Sequence, residues 1–275
     1  MVTPQARRKA VAAAVSEFGR SERRACRLLG AARSSARYKP REDRNTELRV
    51  RLRELAQKRP AFGYQRLHVL LRREGRTVNH KRVHRLYREE GLAVRRKRRK
   101  RLACGPRLDR PKPTGPNQRW SMDFIHDRLS DGRRIKTLNI VDDFTRECLA
   151  IEVGTSIPGA RVARLLNEVA RTRPLPKSIV SDNGPEFTGK KLDEWAHSHG
   201  VTLDFIRPGK PVENAFIESF NGKFRAECLE QHWFGTLWEA RVLIQSWKRD
   251  YNQERPHSSL GNRTPKEFAE EHAIA

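Results

Sequence analysis

The sequence predicts an α/β protein in which a mixed five-stranded sheet with flanking helices follows an all-helical region. Two observations support this prediction. Apolar residues recur with helical spacing up to residue 92, and from residue 120 onward they alternate in short segments with the period of β-strands. A basic stretch rich in proline and glycine separates the two patterns and marks a domain boundary. The predicted regions are N-terminal helices at 1–45, a helix-turn-helix-like domain at 46–94, a linker at 95–116, an α/β core at 117–230 and a helical extension at 231–275.

Charge sets the class of partner. The chain has 58 Lys and Arg against 33 Asp and Glu, a formal net charge of +25, which attracts a polyanion such as nucleic acid. The alternative is a basic protein that is merely soluble. The four cysteines lack metal-binding or disulfide spacing, and neither an apolar run of membrane-spanning length nor a signal sequence occurs. We therefore expect a reduced, cytoplasmic setting and no membrane.

Short helices are predicted over residues 5–38, with a turn at Gly30 that belongs either to a helix-turn-helix or to a simple helical hairpin with a basic face. Three more helices are predicted over 46–92. Asn79 caps the last of them, which buries apolar residues and presents basic ones. That basic face suits double-stranded DNA, although a solvated charged face is the alternative. The expected DNA contacts are Lys81, Arg82 and Arg85, together with the linker tract Arg95, Arg96, Lys97, Arg98, Arg99, Lys100 and Arg101.

The core is predicted in the order of three strands, a helix, a strand, a helix and a strand. Segments 120–125, 135–141 and 149–153 form an antiparallel meander because their connections are short. An amphipathic helix around 162–169 then crosses to a short buried strand at 178–180, and 201–205 alternates as the fifth strand.

A loop at 207–213 leads into a helix whose buried side is Ile217, Phe220, Phe224 and Cys228. Asn214, Glu218, Asn221 and Arg225 share the opposite, polar stripe. Thr236 with Glu239 begins a long helix, and Thr264 with Glu267 begins a final short one, each with a capping box.

Three acids stand out by their positions. Asp123 lies within the first strand, Asp182 directly follows a buried strand, and Glu218 lies on the polar stripe, with 35 residues between the last two (218 − 182 − 1). Carboxylates converging on a sheet end repel one another unless divalent cations bind them, and oxygen ligands favour Mg²⁺ or Mn²⁺. Two such ions support in-line displacement at phosphorus. A purely structural triplet is the alternative.

Three further charged residues lie near these acids. We interpret Glu186 and Asp143 as structural turn residues. Arg225 either holds a substrate phosphate or forms an intrahelical ion pair.

The motifs resemble those of bacterial insertion-sequence transposases of the two-reading-frame group, the insertion sequence three family, and specifically the second-frame protein. The resemblance spans nearly the whole chain. It lies in Trp120–Phe124, Val141–Glu147, Ser181–Phe187, Glu213–Arg225 and Tyr251–Leu260, with Phe62–Tyr64 and Val78–Val83 upstream.

The resemblance implies a ribonuclease H-like integrase core with Asp123, Asp182 and Glu218 as the catalytic, metal-binding triad. Arg225 matches the basic residue seven positions after the glutamate, and Lys223 lies beside it on the same helix as a further DNA contact. The implied activity is cleavage at an element end followed by strand transfer to target DNA. Implied partners are a first-frame protein or a frameshift fusion, and further copies of the chain on DNA. A hydrolytic nuclease and a non-catalytic DNA-binding regulator are the alternatives.

Overall fold

The structure is a computed structural model that describes residues 3–38, 43–94, 111–207 and 214–273. These residues belong to two units, Met1–Val50 and Arg51–Ala275. The basic tract 95–101 and the loop segment 208–213 lie outside the described residues, so what the sequence predicts for them stays a prediction.

The first unit contains the helices that the sequence predicts near the N-terminus. They are α1 (Pro4–Ser16), α2 (Glu22–Leu28) and α3 (Arg33–Ala36). Thr3 and Ser21 each accept a hydrogen bond from a backbone N–H of the first turn, which begins α1 and α2. The hydrophobic cluster that packs these helices is small, and its buried members among the described residues are Val11, Ala25 and Cys26.

The next three helices match the predicted second helical region. They are α4 (Thr46–Lys58), which crosses from the first unit into the second, α5 (Tyr64–Arg73) and α6 (His80–Glu89). The Asn79 side chain accepts a hydrogen bond of 2.8 Å from the Lys81 N–H, as a capping residue should. Val83, Leu86 and Tyr87 are buried, so the predicted inner face of α6 is confirmed.

The sheet has the predicted mixed topology. Its strands are β1 (Arg119–Arg128), β2 (Arg134–Asp142), β3 (Cys148–Gly154), β4 (Ser178–Ser181) and β5 (Thr202–Phe205), in the order β3-β2-β1-β4-β5. The pairs β1–β2 and β2–β3 are antiparallel, and β1–β4 and β4–β5 are parallel. The central strand β1 therefore joins the antiparallel meander to the parallel edge.

Two hydrophobic clusters cover the two faces of the sheet. One contains Trp120, Met122 and Ile179 with apolar residues of α7 (Gly159–Ala170) and α8 (Lys190–His199). The other contains Ile125 and Val141 with residues of α9 (Ala215–Glu227) and α10 (Leu237–Gln253). Because side chains alternate along a strand, Asp123 and Asn139 project toward the α9 layer.

Of the two capping boxes predicted near the C-terminal end, the one at Thr264 is complete, whereas the Glu239 side chain accepts from the Gly235 N–H at 2.8 Å and not from the Thr236 N–H. The Thr236 side chain accepts from the Glu239 N–H at 3.1 Å and begins α10. Before α11 (Pro265–Ala273), the Thr264 N–H donates to Glu267 at 2.7 Å and the Glu267 N–H donates to Thr264 at 3.1 Å, which is a complete capping box.

Candidate active site

Strand register brings Asp123 and Asp182 to the same level of the sheet. In the parallel pair β1–β4, Ser121 lies opposite Val180. The offset of 59 (180 − 121) equals the offset between the two acids (182 − 123), so the acids are level where β4 ends. Asp182 follows β4 directly and accepts a hydrogen bond of 3.0 Å from the Gly184 N–H, which fixes one carboxylate oxygen.

Glu218 comes to this site on α9. Ile217, Phe220 and Phe224 of the helix are buried in the core layer, as predicted, and α9 packs across β1 and β2. Glu218 itself is exposed, one residue from the buried Ile217. The helix thus holds this carboxylate at the open side of the site, and the burial of its apolar face fixes the position of its backbone.

Electrostatics links the three acids. Asp123 is half-buried, and its pKa is raised from 3.8 to about 6, first because burial disfavours the ionised form and then because the negative charges of Asp182 and Glu218 repel it. Hydrogen bonds from the Phe124 N–H and the Asn221 side chain oppose this rise. Asp123 therefore lies within electrostatic reach of both other carboxylates.

The carboxylates do not by themselves form a finished ligand cage. Within the described ranges, no group of three or more His, Cys, Asp or Glu side chains is placed so as to hold a metal ion. The donor set is nonetheless of one chemical kind, because carboxylate oxygens without thiolate or imidazole suit a hard divalent cation. Like-charge repulsion at Asp123 is the feature of this structure that such a cation would relieve.

Two buried asparagines hold Asp123, and sequence reasoning missed this. The Asn221 side-chain N–H donates to Asp123 Oδ2 at 2.7 Å, and the Asn139 N–H donates to Asn221 Oδ1 at 2.8 Å. Asn139 is 0% and Asn221 8% exposed. The prediction that the four polar residues of α9 all lie on the side of the helix away from the core is therefore wrong. Asn214 and Asn221 point inward because the helix flank meets the sheet, while Glu218 and Arg225 are exposed.

Asp143 and Glu186 both have cationic partners. Asp143 is buried, accepts from Ser121 at 2.6 Å and pairs with Arg119 at 2.6 Å. Glu186 pairs with Lys136, whose ammonium also lies 4.4 Å from the centre of the Phe124 ring. These contacts favour the structural interpretation of both acids.

The predicted DNA contacts have different surroundings. Lys81, Arg82 and Arg85 are exposed on α6, and Arg225 is exposed on α9. Lys223 is half-buried instead, and its pKa is lowered to about 8 by burial and then by the positive charge of Arg255. Lys223 therefore differs from the other predicted contacts on α6 and α9, because it is half-buried and they are exposed.

No helix in the described part of the chain could span a membrane.

Comparison with protein families identifies the class of the core and of the helical region before it. Two models described as integrase core domain match residues 113–211 and 199–265, and one described as HTH-like domain matches 41–100. A chain of the simian T-cell lymphotropic virus intasome, solved with a regulatory subunit of protein phosphatase 2A, aligns over 79% of this chain and 74% of its own. The TM-score is 0.52 at 13% identity, which shows a shared fold. The core is thus an integrase-type, ribonuclease H-like α/β domain.

Relatives in bacteria identify the family. An insertion element IS407 protein of Burkholderia multivorans, of 31.7 kDa and uncharacterized, is 54% identical over 92% of this chain and 91% of its own length. The transposase for insertion sequence element IS904 of Lactococcus lactis is 28% identical over 57% of this chain and 63% of its own. The chain belongs to the integrase-core transposases of bacterial insertion elements, which confirms the resemblance seen in the motifs.

Proposed function

We propose that the chain is a divalent-cation-dependent DNA strand transferase whose catalytic, metal-binding residues are Asp123, Asp182 and Glu218. The observation that supports the proposal is the strand register that puts Asp123 level with Asp182 where β4 ends, and the charges of Asp182 and Glu218 are among the causes of the raised pKa of Asp123. Mg²⁺ is the expected cation, two ions per site, and Mn²⁺ is a substitute. When bound, such ions activate a hydroxyl and stabilise the leaving oxygen in an in-line displacement.

The protein's own contribution is to hold the three carboxylates. The Phe124 N–H and the Asn221 amide fix the two oxygens of Asp123, at 2.8 and 2.7 Å. The Gly184 N–H fixes Asp182, and the buried face of α9 sets the position of Glu218. These contacts restrict the movement of Asp123 and Asp182 and the backbone of Glu218, so the three carboxylates need only limited movement to meet around a cation.

The reaction has two displacements at phosphorus. In the first, a water oxygen bonds to the phosphorus at the element end, the P–O3′ bond breaks, and a free 3′-hydroxyl results. In the second, that 3′-oxygen bonds to a target phosphorus while the target P–O3′ bond breaks; the attacking hydroxyl gives up its proton to solvent, and the departing 3′-oxygen takes one up to become a new 3′-hydroxyl. One phosphodiester bond forms for each one broken in the second step, so no external energy source is required.

Double-stranded DNA, as element ends and target, is the proposed partner in the bacterial cytoplasm. The exposed basic face of α6 suits docking on the duplex. We retain the region boundaries predicted from sequence and propose that 46–94 binds DNA and 117–230 is catalytic. We further propose a first-frame protein or frameshift fusion as a partner and a homo-multimer on DNA, because two element ends must be brought together. The proposed phosphate contacts are Lys81, Arg82, Arg85, Lys223, Arg225 and the tract Arg95–Arg101.

Two other functions remain as alternatives. A hydrolytic nuclease would use the same acids but stop after the first displacement. A non-catalytic regulator would bind DNA and need none of the acids. The three-acid site favours an enzyme, and the insertion-element family favours strand transfer over simple hydrolysis.

A joining assay tests the proposal. Purified protein, or the frameshift fusion, is incubated with plasmid and a labelled duplex carrying an element end in Mg²⁺ or Mn²⁺. Asp182→Asn should abolish joined product while leaving DNA binding unchanged, because it removes a metal ligand and keeps the basic surface. Asp193→Asn on the exposed face of α8 is the matched control and should join normally. Joining by Asp182→Asn would refute the triad, and product that is only nicked would favour the nuclease.

A further inference from the structure

A cleft runs along α9 beside the proposed active site. Its walls come from two parts of the chain, the start of α5 with the turn before it, at Arg66 and Ala61, and the outer surface of α9. Glu218 and Lys223 both line it, and Glu227 lies at its far end. The cleft therefore connects the proposed catalytic glutamate with basic side chains that come from the DNA-binding region as well as from the core.

Two carboxylates, Glu218 and Glu227, and two basic side chains, Arg66 and Lys223, line the cleft, but they do not pair one to one. Glu227 is engaged by Arg255, at 2.7 Å from Nε and 2.6 Å from Nη2, and the Arg66 guanidinium approaches the same carboxylate at 3.4 Å. Lys223 makes no ion pair with any residue that the structure describes. Glu227 thus has two guanidiniums beside it, and the Lys223 pKa is lowered because burial and then the positive charges of Arg255 and Arg66 disfavour its protonated form. An anion in the cleft would relieve this repulsion.

The geometry also suits a bound anion. The Arg66 guanidinium lies 5.2 Å from the centre of the Phe62 ring, and Arg255 lies 5.7 Å from the same ring, so both are held by stacking as well as by Glu227. Gly222 lines the cleft, and a Cβ added there would meet nothing within 4 Å. The space beside Gly222 is therefore open, and a sugar-phosphate backbone can approach α9 closely there.

We propose that this cleft binds a backbone phosphate of the DNA strand that enters the active site, with Arg66 and Lys223 as its ligands and Glu227 and Arg255 as the residues that position them. The proposal rests on the proposed function, because it takes DNA as the substrate of the neighbouring Glu218. Arg66 was not among the residues that sequence reasoning assigned to DNA. Through Arg66, the helix-turn-helix-like region would contact the same stretch of the DNA strand that enters the catalytic site.

The test is the salt dependence of binding to a duplex that ends in one terminus of the encoding element, measured by fluorescence anisotropy in EDTA. The variants are Arg66→Gln, Lys223→Gln and the double variant. Arg66 and Lys223 bind the same phosphate in this proposal. The double variant should therefore reduce the magnitude of the slope of log K against log salt by about 0.9, the value for a single phosphate contact. Arg164→Gln, which removes an exposed charge on α7 in the opposite layer, should leave the slope unchanged.

A second measurement locates the phosphate and does not depend on the stability of the variants. Duplexes with single neutral methylphosphonates are scanned through the end sequence. Wild type should lose affinity at one position near the cleaved bond, and Arg66→Gln should be insensitive there. An unchanged slope in the double variant, or an equal loss in Arg164→Gln, or identical scans for wild type and Arg66→Gln, would overturn the proposal. If wild type joins DNA but the double variant has an unchanged salt slope, the phosphate site in the cleft is wrong and the proposed function stands. If the slope changes but no protein joins DNA, the proposed function is wrong and the phosphate site stands.

Discussion

Replacing Arg255 should cost much of the stability of the unit Arg51–Ala275. The side chain is 1% exposed, and its bidentate partner Glu227 is 9% exposed. Arg255→Ala leaves this carboxylate buried, and breaking a buried pair from one side costs about 3–5 kcal/mol. The lower end applies, because Arg66 and Lys223 remain near Glu227. We expect a loss of about 3 kcal/mol in the free energy of unfolding, against a total of about 5–15 kcal/mol for a typical domain.

The assay is urea unfolding followed by tryptophan fluorescence. Trp247 reports on the affected region because its ring centre lies 5.2 Å from that of Tyr251, which itself packs against Arg255. Arg133→Ala is the matched control, since its ion pair with Asp131 joins side chains that are 66% and 43% exposed. That variant should lose less than about 1 kcal/mol. If Arg255→Ala is no less stable than Arg133→Ala, the reasoning about the buried pair is wrong.

Three other predictions concern the acids and the linker. In metal-free protein, Asp123→Asn should raise the free energy of unfolding by about 2–3 kcal/mol above pH 6, from a shift of roughly two pKa units at 1.36 kcal/mol each. The pKa of Asp123 in the folded protein, about 6, exceeds the value of 3.8 in the unfolded chain, so wild type loses stability as pH rises from 3.8 to 6. Below pH 4 the carboxyl is protonated in both states, and the stability advantage of Asp123→Asn should vanish. Urea unfolding at several pH values measures this dependence. Asn221→Leu should reduce joining or raise its Mg²⁺ requirement by about 10–100-fold, since it removes the hydrogen bond to Asp123; kinetics identical to wild type would assign Asn221 to packing alone. Neutralising the tract 95–101 should weaken binding to all DNA sequences and lower the salt slope by about one unit for each phosphate that the tract no longer neutralises, and an unchanged slope would make the tract a spacer.

Local pattern predicted the elements of this fold well because their causes are local. The strand and helix periods of the core, the caps at Asn79 and Thr264, and the buried face of α9 all come from neighbouring residues. The three candidate acids stood out for the same reason, since each has an unusual position within or beside its own element. Their electrostatic coupling agrees with that selection, although their catalytic role stays a prediction.

What the sequence did not predict depends on contacts between distant segments. Asn221 turns inward because β2 presents Asn139 beside it, 82 residues away along the chain. Glu227 pairs with Arg66 across 161 residues, and no spacing rule indicates such a pair. Lys223 is half-buried for the same reason, since segments from both ends of the second unit crowd it. Helical periodicity assigns a residue to one side of a helix, but the packing of the rest of the chain decides which flank is covered.

The central claim is that Asp123, Asp182 and Glu218 bind the catalytic cation together, and Mn²⁺ binding measures this most directly. Mn²⁺ would be titrated into protein bound to an element-end duplex, with the free ion followed by electron paramagnetic resonance and the uptake by duplex alone subtracted. We predict that wild type takes up Mn²⁺, that Asp123→Asn and Glu218→Gln each lose most of this uptake, and that Asp193→Asn keeps it. Undiminished uptake by Asp123→Asn and Glu218→Gln would contradict the claim.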